Sequence, residues 1–131
     1  MANYYDLGTE ETYVHGKDGV IIRNYLDGIK GGVVLDTTDF TDDYIQCGHV
    51  IIKSTSEDSY APMPVSDGAY ASLPDNYEYA GVATTNVPKG APFTGVLTAG
   101  EVNDNAVPYS IDSIKTALIA ALPNIRWEHD V

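Results

Sequence analysis

Apolar residues occur along the chain in short runs separated by glycine, proline and polar residues. Runs of this length, rich in β-branched and aromatic residues, favour extended backbone over helix. Turn-forming residues recur between the runs at intervals of roughly 10 to 15 residues. The pattern predicts strands in GVIIRNYL (19–26), VVLDTT (33–38), YIQCGHVIIKS (44–54), YEYAGVATTNV (77–87) and PFTGVLTAGEVN (92–103). We therefore predict a mainly β domain, built as a small barrel or sandwich.

The segment YAPMPV (60–65) carries two prolines, Pro62 and Pro64. Proline has no N–H to donate to a neighbouring strand, so it is restricted to sheet edges, strand ends and loops. We predict that this segment is an extended edge strand or a loop.

One segment near the C-terminus has helical spacing. In YSIDSIKTALIAALP, residues 109–123, four aliphatic residues lie three or four positions apart: Ile111, Ile114, Leu118 and Leu122. Ser110 or Asp112 can cap the N-terminus, and Pro123 ends the segment. The spacing predicts a helix over about 111–122 whose apolar face packs on the sheet, which makes the fold β-rich α+β.

The first 18 residues contain three tyrosines, Tyr4, Tyr5 and Tyr13, and few aliphatic residues. Such a segment cannot bury much surface alone, whereas tyrosine loses little conformational entropy on docking. We therefore predict an N-terminal arm over 1–18 that binds a partner, followed by one domain over 19–131. The alternative is a frayed terminus without a binding role.

The chain is strongly acidic, with 7 basic and 19 acidic residues among 131 and a net charge of −12. Nucleic-acid binding depends on cationic side chains, so direct binding to DNA or RNA is disfavoured. Between Asp36 and Glu78 nine acidic residues accompany one basic residue, Lys53. We therefore predict a negatively charged face formed by this stretch. Such a face serves either solubility or binding to a partner with a positively charged surface.

No stretch resembles a secretory signal, and no apolar run approaches the roughly 20 residues of a membrane helix. We expect a soluble protein made in a reducing cytoplasm. The lone cysteine, Cys47, cannot form an internal disulfide.

Candidate catalytic groups are few. Cys47 and His49 are two positions apart, which on a strand places both side chains on one face. A thiolate nucleophile needs a positioned base, but an apolar strand favours a buried, inert cysteine. We predict that the protein is not an enzyme.

Two stretches, DTTDFTDD (36–43) and EVNDN (101–105), are rich in oxygen ligands of the kind that calcium prefers. Neither has the spacing of an EF-hand loop, and Asp, Asn and Thr are ordinary turn formers. The histidines at 15, 49 and 129 have no metal-site spacing, and neither glycine-rich nucleotide motif occurs. We predict solvated turns here, with no metal and no cofactor.

The tail NIRWEHDV (124–131) contains the single tryptophan, Trp127. A tryptophan here can pack at the margin of the core or act as an aromatic anchor in an interface. Together with the arm tyrosines, Trp127 completes the predicted partner-binding set, Tyr4, Tyr5, Tyr13 and Trp127.

The order of four segments carries a family resemblance: CGHVIIK (47–53), YAPMPV (60–65), YEYAGVATTNV (77–87) and GVLTAGEVN (95–103). This order resembles the phage lambda-type head decoration proteins of tailed bacteriophages over about residues 30–107. The chain departs from that family in its C-terminal helix and tryptophan-bearing tail.

The resemblance implies a non-enzymatic virion protein on the capsid exterior that bridges and stabilises major capsid protein subunits. It also implies trimer formation and an N-terminal arm that orders against the shell. Two alternatives remain open. The first is the base of a head fibre or another virion attachment module. The second is a small sugar-binding or hydrolytic β domain, which needs a concave pocket with converging polar groups.

Overall fold

The computed structural model describes residues 21–29, 31–38 and 40–128. The predicted arm, residues 1–18, lies outside the described residues, and so do Tyr4, Tyr5 and Tyr13. The fold is mainly β with a short C-terminal helix, as predicted. The strands are β1 Ile22–Gly28, β2 Val33–Val34, β3 Tyr44–Ile45, β4 Val50–Ser54, β5 Tyr60–Pro62, β6 Val65–Ser66, β7 Ala69–Tyr70, β8 Tyr77–Ala83, β9 Val87–Pro88, β10 Phe93–Thr94, β11 Val96–Val102 and β12 Ile125–Trp127; helix α1, Lys115–Ala121, precedes β12.

Six strands form the main sheet, in the order β1-β11-β8-β4-β5, and β12 lies parallel to β11. The other pairs in this sheet are antiparallel. Three two-stranded ribbons, β2–β10, β3–β9 and β6–β7, accompany the sheet. Across the described ranges the main sheet ends at β1 and at β5 without closing, so the barrel alternative is wrong. A barrel surrounds a single interior, whereas here the central strands of an open sheet are buried on both faces.

The side chains of strand β4 are buried on both faces of the sheet. Val50, Ile51 and Ile52 are at most 2% exposed, although successive side chains of a strand point to opposite faces. Val50 and Ile52 pack in one apolar cluster, and Ile51 packs in the other. The uninterrupted apolar run in the sequence is thus a strand buried from both sides.

The larger cluster, which we call the main cluster, lies between the sheet and the C-terminal segment. It joins Val82 and Leu97 of the sheet to Leu118 of α1 and to Met63. The second cluster lies on the opposite face, where Val96 meets Leu35 and the buried ring of Phe40. The chain therefore forms three layers, with the sheet in the middle.

Helix α1 is shorter than predicted. It begins at Lys115, because the preceding residues form a turn in which the N–H of Ile114 donates to the carbonyl of Ile111 at 2.9 Å. Ile114 is the N-cap and makes no side-chain cap bond; the Ser110 hydroxyl accepts from the N–H of Asp112 instead. The capping prediction was wrong. The packing prediction is confirmed, since the four aliphatic residues are all buried in the main cluster: Ile111, Ile114, Leu118 and Leu122.

The first two predicted strands exist but pair with strands distant in sequence. Strand β1 pairs with β11, and β2 pairs with β10. The segment YAPMPV was predicted to be an edge strand or a loop; its first half forms β5 at one edge of the main sheet, and Val65 begins β6.

Gly81 lies where β8 runs closest to its two neighbours. It pairs with Ile51 of β4, and a side chain at this position would collide with the backbone carbonyl of Leu97 and the side chain of Val96. The pairing of β8 with β11 therefore depends on a residue without a Cβ atom.

We predict that Gly81→Ala destabilises the fold by more than about 2 kcal/mol, because the sheet must open to accommodate the methyl group. Urea unfolding followed by circular dichroism measures the loss. Gly90→Ala is the matched control, since among the described residues, its two chain neighbours aside, no atom lies within 4 Å of the added methyl group. Equal stability of the two variants would contradict the proposed close approach.

Candidate partner-binding surface

The two candidate catalytic residues lie in a turn and not on a strand. The N–H of His49 donates to the carbonyl of Gln46 at 3.0 Å, and Gly48 between them has a φ of +92°. That φ value favours glycine and bends the chain before β4 begins. The prediction that Cys47 and His49 share one face of a strand was therefore wrong. Both side chains are at most 1% exposed.

His49 is surrounded by aromatic rings. Its Nε2 lies 2.9 Å from the Met63 carbonyl, and its ring meets those of Phe40, Tyr70 and Tyr109 edge to face at 5.2, 5.3 and 5.8 Å. Burial lowers the pKa of His49 to about 4, because charging the ring here means losing its hydration. His49 is a neutral core residue that donates to a backbone carbonyl.

The rings around His49 also tie loops together. The Tyr109 hydroxyl donates to Asp42 Oδ2, and this bond to a carboxylate raises the pKa of Tyr109 to about 12. The Tyr70 hydroxyl accepts from the N–H of Val50 at 3.0 Å, and burial raises the pKa of Tyr70. These two hydroxyl groups therefore connect Tyr109, which precedes α1, to Asp42, which precedes β4, and Tyr70 to the first residue of β4.

We predict that stability falls as the pH is lowered from 6.5 to about 4. The unfolded chain gains a proton on residue 49 in this range, whereas the folded chain does not until about pH 4. The free energy of unfolding should drop by about 3 kcal/mol over the range and be independent of this group above it. Urea unfolding at successive pH values measures the slope.

His49→Gln is the control variant, because glutamine can still donate to Met63 but does not titrate. The difference in slope between the wild type and this variant isolates His49 from the other histidines. A variant with the same slope as the wild type would contradict the assignment.

Both acidic stretches contain turns, as predicted, but Glu101 lies on strand β11 and residue 39 is outside the described ranges. Asp36 Oδ1 accepts from the N–H of Thr38 at 3.1 Å and from its hydroxyl at 2.6 Å, which lowers the pKa of Asp36. Asn103 Oδ1 accepts from the N–H of Asn105 at 2.9 Å. Within the described ranges, no three His, Cys, Asp or Glu side chains are grouped to hold a metal ion. No described helix is long and apolar enough to cross a bilayer.

Four large apolar side chains of β1 and of the β2–β10 ribbon are exposed, and we call this set the apolar patch: Tyr25, Leu26, Val34 and Phe93. They are 56, 67, 65 and 56% exposed. Phe93 and Val34 lie directly opposite each other on β10 and β2. Large exposed apolar side chains on neighbouring segments are typical of an interaction surface.

The two parts of the apolar patch are the residues on β1 and those on the β2–β10 ribbon. Segment 94–96 connects the backbone of these two parts. The N–H of Ile29, directly after β1, donates to the carbonyl of Val96 at 2.9 Å. The Phe93 ring covers Gly32, where a Cβ atom would lie 3.2 Å from the ring. The patch thus combines residues of β1 with those of the β2–β10 ribbon on one supported backbone. The apolar patch was not predicted from the sequence. The local signal for it is weak, because it consists of two consecutive apolar residues, Tyr25 and Leu26, in a strand whose polarity does not alternate.

Trp127 is half-buried against the main cluster, in agreement with a position at the core margin. It pairs with Val102 on the side of β11 opposite β1, and its buried indole Nε1 has no hydrogen-bond partner among the described residues. The structure therefore does not bring Trp127 into the apolar patch.

A shallow groove of about 160 Å³ lies at the other edge of the main sheet, beside β5. Apolar residues form most of its walls, among them Phe40, Pro62, Pro74 and Tyr77, and Asp36 is its acidic residue. Pockets for small-molecule ligands typically have at least about 300 Å³. The groove therefore has the size of a single side chain.

No protein-family model, curated protein or solved structure matches the chain.

Proposed function

We propose that the protein is a non-enzymatic structural component of a tailed-phage virion. It binds the outer surface of the capsid, bridges neighbouring major capsid protein subunits and stabilises the shell. In this role it is made in the host cytoplasm and resides on the capsid exterior as a trimer. The apolar patch is the observation that carries the proposal, and the resemblance of four strand segments to head decoration proteins gives the partner.

The patch has the composition of a protein interface. Two of its four side chains are aromatic, and aromatic residues are enriched among the residues that dominate binding energy. Strand pairing and the bond from Ile29 to Val96 support the backbone beneath it, so little ordering is needed on binding.

Three further observations support a binding role over a catalytic one. The thiol of Cys47 and the imidazole of His49 are enclosed in the core. The groove beside β5 is smaller than a typical pocket for a sugar or another small substrate. A net charge of −12 disfavours the packaged DNA as the direct partner.

The patch is tested by co-sedimentation with capsids that lack this protein, both DNA-filled and emptied. We predict that Phe93→Ser or Leu26→Ser weakens binding at least about tenfold, which is the effect of losing an interface anchor. Ile119→Ser is the matched control, because Ile119 is also an exposed aliphatic residue, at 41%, but lies on helix α1. Wild-type binding by both patch variants, or an equal loss in the control, would contradict the assignment.

The arm is tested separately. We predict that alanine at one or more of Tyr4, Tyr5 and Tyr13 costs more than about 1 kcal/mol of capsid binding. Capsid occupancy should stay constant or rise with salt, because salt screens repulsion between acidic copies. If salt instead weakens binding steeply and the tyrosine variants behave like the wild type, the acidic face over 36–78 is the anchor.

A further inference from the structure

The groove beside β5 has features that the capsid proposal does not use. It shares no residue with the apolar patch, and the two lie at opposite edges of the main sheet. Its walls come from β4, from β5, from the segment after β2 and from the start of β8, so four separate parts of the chain position it. One wall is the aromatic ring of Tyr77, and others are the apolar surfaces of Pro62 and Pro74.

Asp36 places a carboxylate at this apolar groove. Among the described residues, the side-chain hydrogen bonds of Asp36 both end on Oδ1, from the N–H and the hydroxyl of Thr38, and Oδ2 is left for a ligand. The N–H of Asp36 donates to the Tyr60 carbonyl at 2.8 Å, so the residue is also fixed to β5 through its backbone. The hydrogen bonds from Thr38 lower the pKa of Asp36, and the group is ionised at neutral pH.

Asp36 is the charged residue among the groove walls, and Asp75 directly follows the wall residue Pro74 in the sequence. The nearby base Lys53 lies 4.0 Å from Asp58 and 5.9 Å from the centre of the Tyr60 ring. An occupant with positive charge is therefore favoured over a neutral or anionic one.

We propose that this groove receives an arginine side chain from a partner protein. The methylene stem lies on the proline and tyrosine surfaces, and the guanidinium donates to Asp36 Oδ2 at the mouth. Arginine fits better than lysine, because its planar, weakly hydrated head stacks on an aromatic ring while it pairs with a carboxylate. A purely apolar side chain would cover the carboxylate without pairing it.

The test uses the full-length protein, labelled with ¹⁵N, and blocked pentapeptides that have four glycines around one central residue. We expect the arginine peptide to shift the amide signals of groove residues in a saturable way. Peptides with central lysine, citrulline or norleucine should bind at least about threefold more weakly, since each loses either the planar head, the charge or both. The capsid is absent, so failure here leaves the patch proposal intact, and the reverse also holds.

Two variants locate the binding. Asp36→Asn keeps an oxygen for Thr38 but removes the charge, and Tyr77→Leu removes the ring; each should weaken the arginine peptide at least about threefold. Asp67→Asn is the control, because Asp67 is an exposed acid at the β6–β7 turn with a φ of +55°, which asparagine tolerates. The proposal is overturned if no groove signal shifts, if norleucine or lysine binds as well as arginine, or if Asp67→Asn weakens binding as much as Asp36→Asn.

Discussion

Burial of the β4–β8–β11 region on both faces is the constraint on which the rest of this structure depends. Val50, Ile51 and Ile52 follow one another on β4 and alternate between two apolar clusters. Burial of side chains of this size is worth about 1.5 to 3 kcal/mol each, so neither face can be left to water. Helix α1, its preceding turn and the β6–β7 ribbon cover one face, and the β2–β10 and β3–β9 ribbons cover the other.

Burial of this region also explains why the two candidate catalytic residues are inaccessible to solvent. His49 and Cys47 immediately precede β4, where the chain enters the core, and both are enclosed there. The imidazole is satisfied by a backbone carbonyl and by ring contacts, and the nearby tyrosine hydroxyls bond to a backbone N–H and a carboxylate. Polar groups in such a core stabilise the fold only when they are paired, which they are here.

Because the centre of the sheet is buried on both faces, the surfaces that are exposed for binding lie at its edges. The apolar patch extends from β1, at one edge, and the groove lies beside β5, at the other. The first surface is apolar and partly aromatic, which suits a protein interface. The second is small and has the carboxylate of Asp36 among its walls, which suits one cationic side chain. Their separation allows a single small domain to contact two partners, or two subunits of one assembly.

Local patterns in the sequence were enough to predict the mainly β class, the edge position of YAPMPV and the turns formed by Asp36 and Asn103. They also identified the four buried aliphatic residues around α1. Each of these features depends on residues within a few positions of one another, through side-chain periodicity, proline geometry or a short hydrogen bond. Only the tertiary structure decided that β1 pairs with β11, that Val34 faces Phe93, and that Asp36 meets Tyr77 across a groove. Those contacts join residues that are 40 or more positions apart, and the energies that select them arise from packing between whole strands, which no local pattern encodes.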